Sequence, residues 1–161
     1  MTKYLGSCHC GSVRFEIDTG DPLNPYFRCN CSLCSRKGAV MGEIARSALE
    51  VTQGFEFVTT YTWNTGEAQH YFCNRCGIYT HHVMRGCTDR VGVNMACVEG
   101  VDVYAQQDVV VGGGKKLSLV KSEQVPPNPS IERTRSGSAG LAFISFWAKP
   151  APPPRAAHVK R

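Results

Sequence analysis

The sequence SCHCGSVRFEID, residues 7–18, joins a closely spaced pair of cysteines to a run with strand-like alternation. Val13, Phe15 and Ile17 share one side of this run, and charged residues occupy the other. Cys8 and Cys10 on an extended segment project to the same side, because strand side chains repeat every two residues. A pair of thiolates in this arrangement can hold one metal ion. The stretch therefore predicts β structure organised around a metal site.

A second cysteine pair occurs in FCNRCG, residues 72–77. The C-x-x-C turn brings Cys73 and Cys76 together, and Gly77 frees the backbone to curl around them. Together with Cys8 and Cys10, these residues complete a tetrahedral set of four thiolates, which is typical of a closed structural zinc site. Such a site would join the N-terminal strand to a hairpin far along the chain. The alternative interpretation is a set of buried free thiols.

A third group, Cys29, Cys31 and Cys34, lies within RCNCSLCSRKG, residues 28–38. Disulfides between such close neighbours would close small strained rings and leave one cysteine over. Three thiolates around zinc leave the fourth position open, which is the mark of a catalytic site. We therefore assign Cys29, Cys31 and Cys34 as metal ligands with a catalytic role. The alternative is a second structural zinc whose fourth ligand is Cys87, Cys97 or a histidine.

Three thiolates around Zn²⁺ carry a net charge of −1, so the ion is a weaker Lewis acid than one held by three histidines. This arrangement favours a soft fourth ligand such as an exogenous thiol, and reactions at sulfur over hydrolysis. Arg36 and Lys37 follow the third cysteine group directly. They could attract an anionic thiol, or they could form a solvated turn.

The remaining segments up to residue 124 are short and rich in β-formers, with turn residues between them. This pattern favours an all-β fold. One helical turn is expected in ARSALEVTQG, residues 45–54, and a last short strand in KKLSLVK, residues 115–121. The run VGGGKK lacks the spacing of a phosphate loop and is interpreted as a turn. His9, His70, His81 and His82 are interpreted as surface or core residues, and Cys87 and Cys97 as packed apolar residues.

Composition predicts one zinc-binding domain over residues 1–124 and a flexible, proline-rich basic tail over residues 125–161. The tail holds six basic residues and one acidic residue, which accounts for the whole net charge of +5. A neutral domain argues against nucleic acid as a partner. No signal sequence precedes the first cysteines, and no apolar run is long enough to span a membrane. We therefore expect a cytoplasmic protein, in whose reducing compartment clustered cysteines indicate metal sites.

Three motifs resemble the glutathione-dependent formaldehyde-activating enzymes and their relatives, which include centromere protein V. They are GSCHCGSVRFEI, CNCSLCSRKG and HYFCNRCGIYTHH, and the resemblance covers roughly residues 4–110. It implies a β-tent fold, in which small antiparallel sheets meet at zinc, with two zinc ions per chain. The structural zinc falls on Cys8, Cys10, Cys73 and Cys76, and the second zinc on the third cysteine group. The family often has histidine between the first two cysteines of that group, where this chain has Asn30.

Two functions follow from these observations. The first is an enzyme of the carbon–sulfur lyase type, which would combine a small thiol such as glutathione with a small aldehyde at the open zinc. The second is a non-catalytic, zinc-stabilised binding module. The sequence names neither the thiol, the electrophile, a general base nor the oligomeric state.

Overall fold

The computed structural model describes residues 2–23 and 25–120. The predicted tail at 125–161 lies outside the described residues. Within them the chain forms ten strands, one α-helix and four short 3₁₀ turns, so the prediction of a mainly β fold is confirmed. No helix in these two ranges combines the length and apolarity needed to cross a bilayer.

The strands form two sheets. The smaller sheet has the order β1-β2-β5 and is antiparallel throughout. The larger sheet has the order β10-β3-β4-β9-β8-β7-β6, and all its pairs are antiparallel except β10 with β3. The elements are β1 (Thr2–Ser7), β2 (Arg14–Thr19), β3 (Phe27–Cys29), α1 (Ser32–Lys37), β4 (Met41–Ala45), β5 (Leu49–Gln53), β6 (Val58–Thr62), β7 (Gln69–Cys73), β8 (Tyr79–Met84), β9 (Cys87–Asn94) and β10 (Val110–Gly112).

The core lies between the two sheets. Phe15 and Ile17 of β2 pack into one cluster with apolar residues of β4, β8 and β9, among them Ile44, Val83 and Val93. The alternation read from residues 13–18 is confirmed, since Phe15 and Ile17 are buried while their charged neighbours face outward or are half-buried. Burial of an aromatic or branched side chain contributes roughly 1.5–3 kcal/mol, so this short strand fixes how the small sheet docks.

Two expectations about local structure are wrong in part. Residues 45–54 contain a single 3₁₀ turn, Arg46–Ala48, and then continue as β5, because Leu49 and Val51 pair with Ile17 and Phe15 of β2. The expected strand at residues 115–121 is absent from 115–120, where a 3₁₀ turn, Gly114–Lys116, is followed by irregular chain. Lys121 lies outside the described residues. The last described strand is β10, which precedes this segment.

Candidate metal centres and the adjoining cavity

The first cysteine cluster consists of Cys8, Cys10, Cys73 and Cys76, whose sulfur atoms all lie within 4.8 Å of one another. The Cys8 and Cys10 sulfurs are 3.6 Å apart, and the Cys10 and Cys73 sulfurs are 3.8 Å apart. Zn–S bonds of about 2.3 Å in a tetrahedron place neighbouring sulfurs about 3.8 Å apart. The four-cysteine cluster therefore fits a zinc ion in both donor type and spacing.

Two turns position these cysteines. In the β1–β2 connection the Val13 amide donates to Cys8 Sγ at 3.3 Å, which directs the sulfur inward. In the β7–β8 connection the Gly77 amide donates to the Cys73 carbonyl at 2.8 Å, and Gly77 has a φ of 73°. A side chain rarely tolerates that backbone angle, so the glycine expected from the sequence is required by the turn.

The electrostatic surroundings of Cys8 and Cys10 differ. Burial raises the pKa of Cys8 to about 11, whereas hydrogen bonding with the Ser12 side chain lowers the pKa of Cys10 to about 6. A buried thiol with a raised pKa becomes a thiolate only next to a positive charge. The cluster thus has the chemistry of a site that a cation completes.

The second cluster, which we call the cysteine tripod, consists of Cys29, Cys31 and Cys34, with all three sulfurs within 4.8 Å of one another. Cys29 ends β3, Cys31 is the N-cap of α1, and Cys34 lies one turn into that helix. The Cys31 sulfur accepts from the Cys34 amide at 3.4 Å, so the helix start itself gathers two of the three ligands. Burial, followed by the neighbouring Cys29 and Cys31, raises the pKa of Cys34 strongly.

The tripod remains at three ligands within the part of the chain that the structure describes. No fourth His, Cys, Asp or Glu of that part joins it. Cys97 is buried with its sulfur 3.6 Å from the Tyr79 carbonyl, and Cys87 pairs with Asp89 at 3.1 Å. Neither residue belongs to either of the two cysteine clusters. This arrangement favours an open site over a second closed one.

A glycine-rich turn that the sequence did not connect with the site packs directly on the tripod. The Asn30 amide donates to the Gly112 carbonyl at 3.3 Å, and Asn30 Oδ1 accepts from the Lys115 amide at 2.8 Å. A Cβ at Gly114 would collide with Cys29 Sγ and lie 2.9 Å from Cys31 Cβ. Asn30 therefore holds the 112–115 turn against the tripod cysteines, and its side chain is occupied by a backbone partner.

The tripod borders a cavity of about 430 Å³. A volume in this range suits a small-molecule site. Apolar groups form much of its wall, including Phe27, Trp63, Met84, Leu117 and Leu119. The tripod sulfurs therefore face a space that an exogenous ligand could enter.

A polar chain of side chains lies beside the same cavity. The Tyr79 hydroxyl is 2.6 Å from His82 Nδ1 and 3.3 Å from His70 Nδ1, and both histidines line the cavity. Burial lowers the pKa of His70 to about 3 and that of His82 to about 4, so both rings are neutral at pH 7. His81 faces the other way and stacks on Tyr71 with ring centroids 4.5 Å apart. His70 and His82 meet because they are paired directly across β7 and β8, which the sequence did not indicate.

The two basic residues after the tripod have different surroundings. Arg36 is exposed and donates to the Ser32 carbonyl of its own helix. Lys37 Nζ is buried without a hydrogen-bond partner and lies 3.6 Å from the centroid of the Tyr79 ring. Burial lowers the pKa of Lys37 to about 8, against the opposing effect of Cys34.

A family model described as glutathione-dependent formaldehyde-activating enzyme matches residues 3–110. The chain belongs to this family. A family member from Halomonas elongata, which carries that activity as a provisional name, is 33% identical over 79 residues, or 44% of this chain and 50% of its own length. The match thus spans about half the length of this curated relative.

A crystal structure of a Rhodobacter sphaeroides protein is also similar to the chain. It is 40% identical, with a TM-score of 0.64, and the similarity covers 67% of this chain and 99% of that protein. The match to the family model covers both cysteine clusters and ends at the start of β10, so the glycine turn that packs on the tripod lies beyond it.

Proposed function

We propose that the chain is a zinc-dependent enzyme that makes or breaks a carbon–sulfur bond between a small thiol and a small aldehyde, in the manner of a carbon–sulfur lyase. Glutathione and formaldehyde are the substrates that the family description suggests. Cys29, Cys31 and Cys34 hold the catalytic zinc, and the four-cysteine cluster holds a structural one. The observation that carries the proposal is the convergence of three sulfurs at the border of a 430 Å³ cavity.

Each group of the site has a part in this chemistry. A zinc ion held by the tripod would stabilise the thiolate form of an incoming thiol near neutral pH. Lys37, which is buried and without a hydrogen-bond partner, offsets the negative charge that three thiolates bring to the site. The Phe27 and Trp63 side chains contribute to the apolar wall of the cavity that the substrates would enter.

The addition is balanced without any redox partner. The thiolate sulfur forms a bond to the aldehyde carbon, and the π electrons of the C=O bond move to oxygen. The proton that the thiol released completes the new hydroxyl group. The His82 ring lines the cavity, is hydrogen-bonded to the Tyr79 hydroxyl and can donate to that oxygen. The reverse direction separates the adduct into thiol and aldehyde by the same steps.

The test is consumption of formaldehyde by zinc-loaded protein with and without glutathione. We expect thiol-dependent consumption that is lost in Cys31→Ser. Cys87→Ser is the matched control, because Cys87 lies outside both clusters. Thiol-dependent turnover that persists in Cys31→Ser would exclude the tripod as the catalytic site. Absence of turnover in the wild type would leave the zinc-stabilised binding module as the function.

A further inference from the structure

The wall of the cavity holds a positively charged group in addition to the tripod cysteines. Among the described residues that line it, Arg85 alone carries a permanent charge. The histidines of the wall, His70 and His82, are neutral at pH 7 because burial lowers the pKa of each. A guanidinium in a largely apolar wall is the kind of group that orients a ligand.

Arg85 and the tripod belong to separate parts of the large sheet. Arg85 follows β8 in the turn to β9, whereas Cys29 ends β3. In the sheet order, β4 and β9 lie between β3 and β8. Both groups nevertheless border the same cavity, so a ligand that fills it can place its sulfur at the tripod and a second group at Arg85.

The guanidinium has donors to spare. Arg85 Nη1 donates to the Ser118 carbonyl at 2.9 Å, and Nη2 donates to the Ser118 hydroxyl at 3.2 Å. Glu67 lies 3.9 Å from Arg85 Nε, which is beyond hydrogen-bond range, and its side chain is 52% exposed. A guanidinium carries five N–H donors, so these contacts leave part of its capacity free. The Arg85 side chain is 27% exposed, and this long ion pair leaves its remaining N–H donors available to a second carboxylate.

We propose that Arg85 is a specificity-determining residue that binds a carboxylate of the thiol substrate. The site then selects thiols that carry a carboxylate. This inference rests on the proposed function, since it names the residue that binds a second group of the same thiol substrate. Charge-assisted hydrogen bonds between guanidinium and carboxylate supply the selectivity, and the apolar wall strengthens them.

Arg85 also holds the 117–120 segment, so a structural effect has to be separated from recognition. Asn64 holds the same segment: its Nδ2 donates to the Ser118 carbonyl at 2.9 Å, and its Oδ1 accepts from the Val120 amide at 2.7 Å. Asn64 has a φ of 59°, which glycine adopts readily. Asn64→Gly therefore removes two hydrogen bonds to this segment, leaves the charge of Arg85 in place and adds no backbone strain.

The experiment compares the binding of glutathione and of its diethyl ester, in which both carboxylates are masked, to the zinc-loaded full-length protein by calorimetry. We expect the wild type to prefer glutathione by about 10-fold or more, as hydrogen bonds to a charged group give. Arg85→Gln should reduce the preference to about twofold or less, and Arg85→Lys should retain part of it. Asn64→Gly should change both affinities together and keep the wild-type ratio.

Three results would overturn the inference: equal binding of the two thiols by the wild type, an unchanged ratio in Arg85→Gln, or an equal loss of the ratio in Asn64→Gly. Failure of the proposed function would give a different combination of results from failure of this inference. Selective, Arg85-dependent binding without aldehyde consumption would refute the enzyme and leave the carboxylate site standing. Consumption with no dependence of selectivity on Arg85 would refute the carboxylate site alone.

Discussion

At the scale of single residues, the tripod depends on a position that has no side chain. Gly114 sits against two of the three ligands, and a Cβ there would collide with Cys29 Sγ and come within 3.0 Å of the Cys31 amide nitrogen. The neighbouring Gly113 is open by comparison, since its added Cβ would meet only Lys116 Cδ at 3.9 Å. These two adjacent glycines therefore give a matched pair for testing how closely the turn is fitted to the metal site.

We predict that Gly114→Ala weakens zinc binding at the tripod and leaves the four-cysteine cluster loaded. Overpacking of this kind costs about 1–3 kcal/mol, which corresponds to about 5- to 150-fold in affinity. Chelator competition on the zinc-loaded protein measures the affinity of each site. Gly113→Ala should bind zinc as the wild type does. An unchanged tripod affinity in Gly114→Ala would show that the 112–115 turn is not packed against the cysteines.

At the scale of secondary-structure elements, the two cysteine clusters differ in what they join. The four-cysteine cluster connects the β1–β2 turn of the small sheet with the β7–β8 turn of the large sheet. Cys8 and Cys73 are fully buried there with Val13 in a small apolar cluster of their own. The tripod instead gathers β3 and the start of α1, which are neighbours in sequence. Loss of the first cluster removes a link between the two sheets, whereas loss of the second affects one local segment.

We therefore predict that Cys76→Ser lowers the melting temperature strongly or precipitates the protein, because it removes a metal ligand that links distant parts of the chain. Cys31→Ser should melt near the wild-type temperature while its zinc content falls from two per chain to one. Metal analysis and thermal unfolding measure both effects, with Cys87→Ser as the control cysteine. A stable Cys76→Ser variant with two zinc ions would contradict the assignment of the structural site.

The sequence predicted those elements whose cause is local. The C-x-C and C-x-x-C spacings gave the four-cysteine cluster, and alternation over residues 13–18 gave the buried face of β2. It failed at residues 45–54, where pairing with β2 overrides a helix-like pattern. It also missed α1, because a six-residue helix whose N-cap is a cysteine shows no apolar periodicity.

The cavity residues outside the tripod could not be predicted from the sequence, for a related reason. Gly114, Arg85 and His82 lie far in sequence from the tripod cysteines, and the tertiary fold brings them to one cavity. A glycine run and a single arginine carry no spacing that points to thiols. The cysteines of both clusters were recognisable because they occur in closely spaced pairs or triplets, whereas groups that contact a substrate can each come from a different strand.

At the scale of the whole molecule, the large sheet holds histidines in its interior as neutral rings. His81 is 8% exposed, stacks on Tyr71 and lies 3.0 Å from the Thr80 hydroxyl. Burial lowers its pKa from an ordinary value of 6.5 to about 4. The unfolded chain therefore binds a proton at this residue before the folded chain does. Between these two pKa values, acid stabilises the unfolded state relative to the folded one.

We predict that His81→Gln flattens the pH dependence of stability. The unfolding free energy of the wild type should fall as pH drops below 6.5, and His81 should account for on the order of 2 kcal/mol of the loss by pH 5. Urea unfolding of both proteins at pH 7.5 and pH 5 measures this loss. Both proteins keep all seven clustered cysteines, so the effect of zinc release in acid is the same in each and cancels in the comparison. The loss between the two pH values should be smaller in His81→Gln, even if the substitution lowers stability at both. Equal losses in the two proteins would mean that the buried ring accepts a proton in the folded state as readily as in water.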